Sequence, residues 1–559
     1  MSQGRQLAAI MFTDIVGYTA MMQADEQKAV AAHQFIFMRN LILLATALIV
    51  SCNSGEVRSV DKNMIELKRG AVISCGPQEG EVFGSVSFNA TVPAQFQKDF
   101  NTAIALLHSF EYDEAEKMFA RVIDGAPDCA MAYWGVAMSN FHPLWMPPSQ
   151  AELQKGWQVV QVARIIKNKT QRESDYIEAI AQFYEHADEL DHRSRVLKFE
   201  KAMADVYRLY ADDKEAAVFY ALALNAAVDP SDKTYSRQRK AFELLEPVFQ
   251  EQPLHPGIAH YIIHNMDYPG IAELALPAAR KYASIAPASA HAQHMPSHIF
   301  TRLGLWDEAI KSDLMSVSSA QCYAEKAKLV HWDEELHGLD YLVYAYLQKK
   351  DDPSAKQQLD YLESIHEVTP ANFKVAYAFA AAPSRYALER KDWKMAAGLQ
   401  LHAANFSWND FPWQAAIIHF AKLLGHVHLN NLADAEKELD QLKTFYQNLL
   451  TQKNKAMEAA QVDVQIKTSE AWIELLKGNK QKAKELMIVA ADKEDAMEKH
   501  PVTPGSVLPA RELLGEMLLE LNEPALATEA FEQNLKVNPN RRNGITGLTL
   551  AKQKASKQG

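Results

Sequence analysis

Apolar and small residues recur along most of this chain at intervals of three and four, the period of one face of an α-helix. Near the C-terminus, Leu514, Gly515, Leu518, Ala527, Phe531 and Pro539 stand at offsets 0, 1, 4, 13, 17 and 25 from Leu514. Two amphipathic helices joined by a tight turn produce that spacing. The small residues let the helices approach, and the large apolar ones fill the seam between them. The proline stops the second helix because its ring clashes with the preceding turn. The segment LLHSFEYDEAEKMFARVIDGAPD puts Ala115, Phe119 and Pro127 on the same template. Ala309 follows Phe300 and Gly304, and the pairs Ala355/Leu359, Ala435/Leu439 and Ala483/Met487 repeat the second-helix positions. From residue 101 to residue 539 the pattern therefore predicts helical hairpins, long or degenerate between 140 and 290. Strand-like alternation is nearly confined to residues 71–92, which are predicted to be extended.

The hairpin pattern resembles the tetratricopeptide repeat (TPR), a helical unit of about 34 residues. The resemblance implies an all-α, TPR-type helical-hairpin superhelix (an α-solenoid), open or C-shaped, with a concave surface that binds other molecules. At 559 residues the chain exceeds what one compact core usually holds, and a solenoid escapes that limit because each unit packs only on its neighbours. The predicted organisation is a remnant at 1–37, an apolar segment at 38–52, a linker at 53–94, a histidine-rich array at 95–350 and a C-terminal array at 351–559.

Charge and cysteine content narrow the function classes. The formal charge is −12, and no Lys/Arg stripe with interleaved aromatics is present, which argues against nucleic-acid binding. Cys52, Cys75, Cys129 and Cys322 show no CxxC pairing and suggest neither a disulfide framework nor a zinc finger. No Walker-type phosphate loop, G-x-S-x-G, G-x-G-x-x-G or H-E-x-x-H occurs.

The chain carries two beginnings. RQLAAIMFTDIVGYT, within residues 1–33, resembles the start of a class III adenylate/guanylate cyclase domain. In that family the Asp14 position ligates catalytic metals with the Ile15 carbonyl assisting. Two-metal chemistry needs a further carboxylate and a cation from later strands, and the resemblance ends near residue 33. The remnant is therefore expected to be catalytically incomplete. Next, Met38-Arg39-Asn40 precedes LILLATALIV, Ser51 and Cys52, the layout of a bacterial lipoprotein signal with Cys52 as the lipidated residue. The apolar run is too short to span a bilayer as a helix. Translation from Met38 implies a lipid-anchored envelope protein; an extension that masks the signal would leave the body cytoplasmic.

The middle of the chain is rich in histidine. LHPGIAHYIIHNMDYPG carries His255, His260, His264 and Asp267; ASAHAQHMPSHIFTRLG carries His291, His294 and His298; HWDEELHGLDYLVYAYLQ carries His331, His337 and Asp340. His260/His264 and His294/His298 are i, i+4 pairs that place two imidazoles on one helix face. Such pairs can chelate Zn²⁺ or another divalent metal, with Asp267 and Asp340 completing the site or orienting a histidine. The candidate ligands are His260, His264, His294, His298, His337 and Asp340, converging on one concave pocket. The strings CAMAYWG and HMPSHIF resemble a group of bacterial TPR proteins over residues 95–350. Many of its members read H-N-x-H where this chain has His337-Gly338-Leu339-Asp340, and the resemblance implies fold rather than activity.

Any single histidine on an amphipathic helix is more often a packing residue, as expected for His426 in a repeat seam. Tyr133, Trp134, Trp145, Trp332, Trp393 and Trp413 are read the same way, and the charged stretch at Lys477–Lys484 as a solvated face. The functional expectation is a scaffold that binds a protein or peptide in its groove, rather than an enzyme. The alternatives are a metal-dependent enzyme or metal-binding protein using the histidines, and a signalling protein of cyclase origin.

Overall fold

The computed structural model describes residues 65–558 apart from Gln78, Glu79, Glu81 and Trp145. Asp14, Ile15, Cys52, Trp145 and the expected boundaries at 37 and 52 lie outside the described residues. Among the described residues the fold is all-α, and the only β pairing is an isolated bridge between Trp332 and Thr369.

The helices are α1 (Gln97–His108), α2 (Tyr112–Gly125), α3 (Ala130–Ser139), α4 (Gln150–Ile165), α5 (Gln171–Tyr184), α6 (His192–Leu209), α7 (Lys214–Ala226) and α8 (Ser236–Glu251). The histidine-rich middle contributes α9 (Pro256–Met266), α10 (Leu276–Ile285), α11 (Ala290–His294), α12 (Pro296–Arg302), α13 (Trp306–Ala327) and α14 (Asp333–Gln348). The rest are α15 (Asp352–Glu363), α16 (Phe373–Glu389), α17 (Trp393–Ala397), α18 (Pro412–His428), α19 (Leu432–Thr451), α20 (Ala456–Leu476), α21 (Lys480–Asp495), α22 (Ala510–Glu520), α23 (Pro524–Val537) and α24 (Arg542–Gln558).

Consecutive helices pack as hairpins, and α14, α16, α18 and α20 stack as an inner row, the architecture of a TPR-type array. The spacing residues do what their sizes dictate. Phe531 is fully buried, and a Cβ on Gly515 or Gly547 would meet its ring at 2.7 or 2.3 Å. Phe119 fills the same role in the first hairpin, where a Cβ on Gly135 would lie 2.3 Å from the ring. Helices α2 and α23 stop two residues before Pro127 and Pro539.

The last hairpin folds back on the middle of the array, a contact that an open or C-shaped array does not require. Trp306 Nε1 donates to the Asn540 carbonyl at 3.0 Å, and Gly304, at φ +67°, lies where a Cβ would strike the Pro539 carbonyl oxygen at 2.4 Å. Arg541, fully buried, bonds Tyr344 on α14, Glu389 on α16 and Glu512 on α22. A buried guanidinium is tolerated only with such partners. The spacing pattern describes neighbour-on-neighbour packing, and closure depends on residues outside that pattern.

Residues 65–92 form a strap rather than a strand. Its amides donate to Glu116, Glu114, Ala288 and Leu254. Phe88, 1% exposed, anchors it among Phe100, Trp134, Tyr176 and Phe219. A disulfide joins Cys75 to Cys322 on α13 with Cα atoms 5.7 Å apart, correcting the expectation of no disulfide. The separation of 247 residues explains why no cysteine spacing announced it. Cys129 is a buried free thiol.

The inner face is also not vacant. The loop 499–509 crosses it, with Val502, Val507 and Leu508 buried. Tyr341 Oη donates to the Val502 carbonyl at 3.0 Å; Tyr377 Oη and Arg385 Nη2 donate to the Gly505 carbonyl at 3.0 and 2.7 Å.

Candidate metal centre

Helices α9, α11, α12 and α14 bring the histidines together. Helix α9 starts with Pro256 in its first turn and His255 as N-cap, whose Nδ1 accepts from the Ile258 amide. This fixes the phase that turns His260 and His264 inward. Ser289 caps α11, and Pro296, lacking an amide, breaks the path into α11 and α12 at Met295. His294 and His298 keep their i, i+4 relation across that break. Gly338, whose Cβ would meet Val317 at 2.8 Å, lets α14 approach α13 beside His337.

Six imidazoles gather in two neighbouring groups of three. In the first, His260, His264 and His291 have ligand-capable atoms all within 4.8 Å of one another. In the second, the same holds for His294, His298 and His337. The ring centroids of His264 and His298 lie 6.4 Å apart, so the groups adjoin. The four histidines expected at one pocket are thus divided between two groups, each completed by a further histidine. His337 was a candidate; His291 was noticed as a neighbour and not chosen. It lies three residues before His294, a spacing without the i, i+4 signature.

The hydrogen bonds fix which nitrogens face inward. His260 Nδ1–H donates to the His108 carbonyl at 2.6 Å. His294 Nδ1–H donates to Asp313 at 2.8 Å, and His298 Nδ1–H to Asp267 at 3.2 Å. Each of these bonds leaves the Nε2 lone pair pointing into the group. The Nε2 atoms of His294 and His298 are 3.1 Å apart, as are those of His260 and His291. Two nitrogens on one tetrahedral ion at about 2.0–2.1 Å lie ~3.3 Å apart, so these pairs are close to the bite of a shared metal. Two lone pairs facing at that distance repel unless a proton or a cation lies between them.

Burial disfavours the charged form of five of these imidazoles. It pushes His260, His264 and His337 well below the ordinary histidine value, His291 down to about 3 and His298 down to about 4. Neutral imidazole is the metal-binding form. Burial alone would raise Asp267, but Lys499 and Arg302 hold its carboxyl below the usual range. Burial raises Asp313, and its Oδ2 is buried without a hydrogen-bond partner. A cation at the Nε2 atoms would supply the positive charge this carboxylate lacks.

Asp340 is not among the three ligand-capable residues of either group. Its Oδ1 accepts from the buried Arg385, and its Oδ2 is buried without a hydrogen-bond partner. Asp267 does orient a histidine, as its position suggested, whereas Asp313 was not foreseen because it sits 15 residues beyond His298, on another helix.

A third group shows what a satisfied histidine cluster looks like. His108 and His255 each donate an Nε2–H to one oxygen of Glu215, at 3.0 and 2.9 Å. The Tyr261 hydroxyl serves His108 Nδ1 at 2.9 Å, and the Ile258 amide serves His255 Nδ1. Every ring nitrogen has a complementary partner, so this cluster is an internal hydrogen-bond network. The aromatic residues pack in seams as expected: Trp134 against Tyr176 and Phe219, Trp332 on Tyr323, Trp413 by Tyr377. In the α17–α20 seam, His428 stacks on Trp393 with centroids 3.8 Å apart.

A cavity of ≈ 420 Å³ abuts the first group, with His264, Asp267, Arg302 and Lys499 in its wall. Among the described residues no helix is long and apolar enough to cross a membrane.

No protein-family model and no curated protein matches the sequence. Among solved structures, the chain is similar to yeast Tom70 at 12% identity, covering 82% of this chain and 88% of that one, with a TM-score of 0.32. It is also similar to the P58(IPK) TPR domain at 11% identity, covering 83% of this chain and 99% of that one, with a TM-score of 0.20. What stands plainly is the architecture the helices themselves display: this chain is an all-α, TPR-type array of helical hairpins.

Proposed function

We propose that this chain is an exported metalloprotein, a TPR-type array holding two adjoining three-histidine sites for divalent transition ions of the zinc class. The observation that carries the reading is the pair of Nε2–Nε2 separations of 3.1 Å, with the Nδ1 atoms of His260, His294 and His298 already engaged. The satisfied His108–Glu215–His255 network supports it by contrast. Three imidazoles per ion leave a coordination position for water or a ligand, as in catalytic zinc sites. Export is supported by the Cys75–Cys322 disulfide, since such bonds persist in oxidising compartments. It agrees with Cys52 as a lipid-anchored N-terminus. The test is elemental analysis of the protein purified from the envelope without chelator, then equilibrated with Zn²⁺ by dialysis. About two ions per chain are expected, one for each three-histidine set. Loss of all metal on dialysis would overturn the reading.

A second reading, a polypeptide-binding scaffold, is favoured by one observation. The inner face already holds a non-helical segment of turns and bends through side chains that donate to its carbonyls. A partner peptide would use the same donors in place of residues 499–509. A photo-crosslinking residue at position 377 should then yield an adduct with a second polypeptide in the envelope. Adducts confined to the chain's own loop would count against it.

A further inference from the structure

We infer that the two histidine groups are unequal: His260, His264 and His291 form an exchangeable site that takes a small oxyanion or carboxylate, and His294, His298 and His337 form a closed one. The inference rests on the metal-binding reading above and adds to it which ion is accessible and what it binds.

The difference begins with access. All three rings of the second group are buried, whereas His264 and His291 keep partial exposure. The second group is roofed by Tyr341, 1% exposed, whose hydroxyl stands 3.4 Å from His298 Nε2 and is itself tied to Val502. The loop 499–509 therefore seals that side. The first group instead reaches the ≈ 420 Å³ cavity through His264. A site without an open position is structural; one with an open position can exchange ligand.

Charge then selects the ligand. Three neutral imidazoles leave a divalent ion's charge uncompensated, and such an ion is the largest local charge in its site. The cavity wall adds to it. Arg302 and Lys499 both converge on the single carboxylate Asp267, which also serves His298. Glu498, in the same wall, is engaged by Lys233 at 2.7 Å. Asp229 is held by the Ser231 amide and hydroxyl, and Arg193 lies nearby with a bond to the Val228 carbonyl. Beside His264, two cations, Arg302 and Lys499, thus share one carboxylate, which leaves a local positive surplus there. An anion with one oxygen on the ion and another toward Lys499 or Arg302 is the complementary occupant. A free phosphate and an organic carboxylate share this chemistry.

The experiment uses the full chain loaded with Co²⁺ alone, whose visible absorption reports coordination geometry, and titrates inorganic phosphate and, separately, acetate. Two Co²⁺ are expected, with the spectrum of one of them shifting on anion addition. His337→Ala should leave one ion that still responds. His264→Ala should leave one ion that is silent. Lys499→Met removes a cation of the cavity wall while leaving every imidazole in place, and should weaken the anion at least tenfold. It also serves as the test if a histidine variant loses its helical circular dichroism. A response to acetate but not phosphate assigns carboxylates, the converse assigns phosphates, and either supports the inference. A wild-type spectrum indifferent to both anions would overturn it and leave the metal reading standing, as would a response that persists in His264→Ala. Failure to bind Co²⁺ at all would overturn both.

Discussion

Arg541 and Glu389 lie 152 residues apart in sequence and meet at 2.6 Å where neither side chain has any solvent exposure. Glu512 shares the guanidinium, so one arginine clasps the last hairpin to α16 and α22. Removing one partner from such a set strands buried charge. Arg541→Met should cost about 3–5 kcal/mol and free the C-terminal hairpin before the rest unfolds. Hydrogen exchange in α23 and α24 should rise ahead of α18–α20. Uniform exchange across these helices would show that the clasp does not hold the array closed.

The close approach of α2 and α3 makes Gly135 intolerant. Gly135→Val places methyl groups inside the Phe119 ring, and overpacking of this kind costs about 1–3 kcal/mol. Denaturant titration should show a lowered midpoint. Gly398, exposed, at φ −91° and with no neighbour nearer than 3.5 Å to an added Cβ, gives the control.

The disulfide makes a countable prediction. In denaturant without reductant, a chain processed at Cys52 should present one reactive thiol, Cys129, and three after reduction. Reduction should lower stability by about 2–5 kcal/mol, the usual contribution of a native bridge. Three thiols before reduction would mean that the strap is not covalently tied.

Glu494 supplies a pH test away from the histidines. It accepts from Ser506 Oγ at 2.7 Å and the Ala510 amide at 2.5 Å, holding the end of the loop 499–509. Burial and the neighbouring Asp495 push its carboxyl up to about 7, against Ser506, the Ala510 amide and Arg541, which lower it. The folded state thus binds this proton more tightly than the unfolded chain, whose value is 4.5. Its contribution is fully present below pH 4.5 and is lost as pH rises through 7. Glu494→Gln should flatten that part of the stability profile. An unchanged profile would rule out a titrating Glu494.

The hairpins were legible because packing between neighbours writes itself into three- and four-residue spacings. Leu514, Gly515, Ala527 and Phe531 meet one another across a single turn. The i, i+4 histidine pairs were legible for the same reason. What escaped was everything set by distant chain segments. His291 joins its group because α11 is angled by Ser289 and Pro296. Cys75 finds Cys322, and Arg541 finds Glu389, through closure of the whole array. No local period carries that information. Asp340 stands beside His337 in sequence, and the bond of its Oδ1 to Arg385 on α16 had no signal in that spacing.

The loop lying on the inner face has a consequence for any polypeptide that would bind there. It is a ligand covalently attached to its own receptor, present at an effective concentration on the order of millimolar, as short tethers give. A free peptide making the same bonds to Tyr341, Tyr377 and Arg385 would be outcompeted at ordinary cellular levels. Occupancy by a partner therefore requires either donors the loop leaves unused or an event that detaches Lys499 from Asp267, which would unlatch the tethered segment at its histidine end.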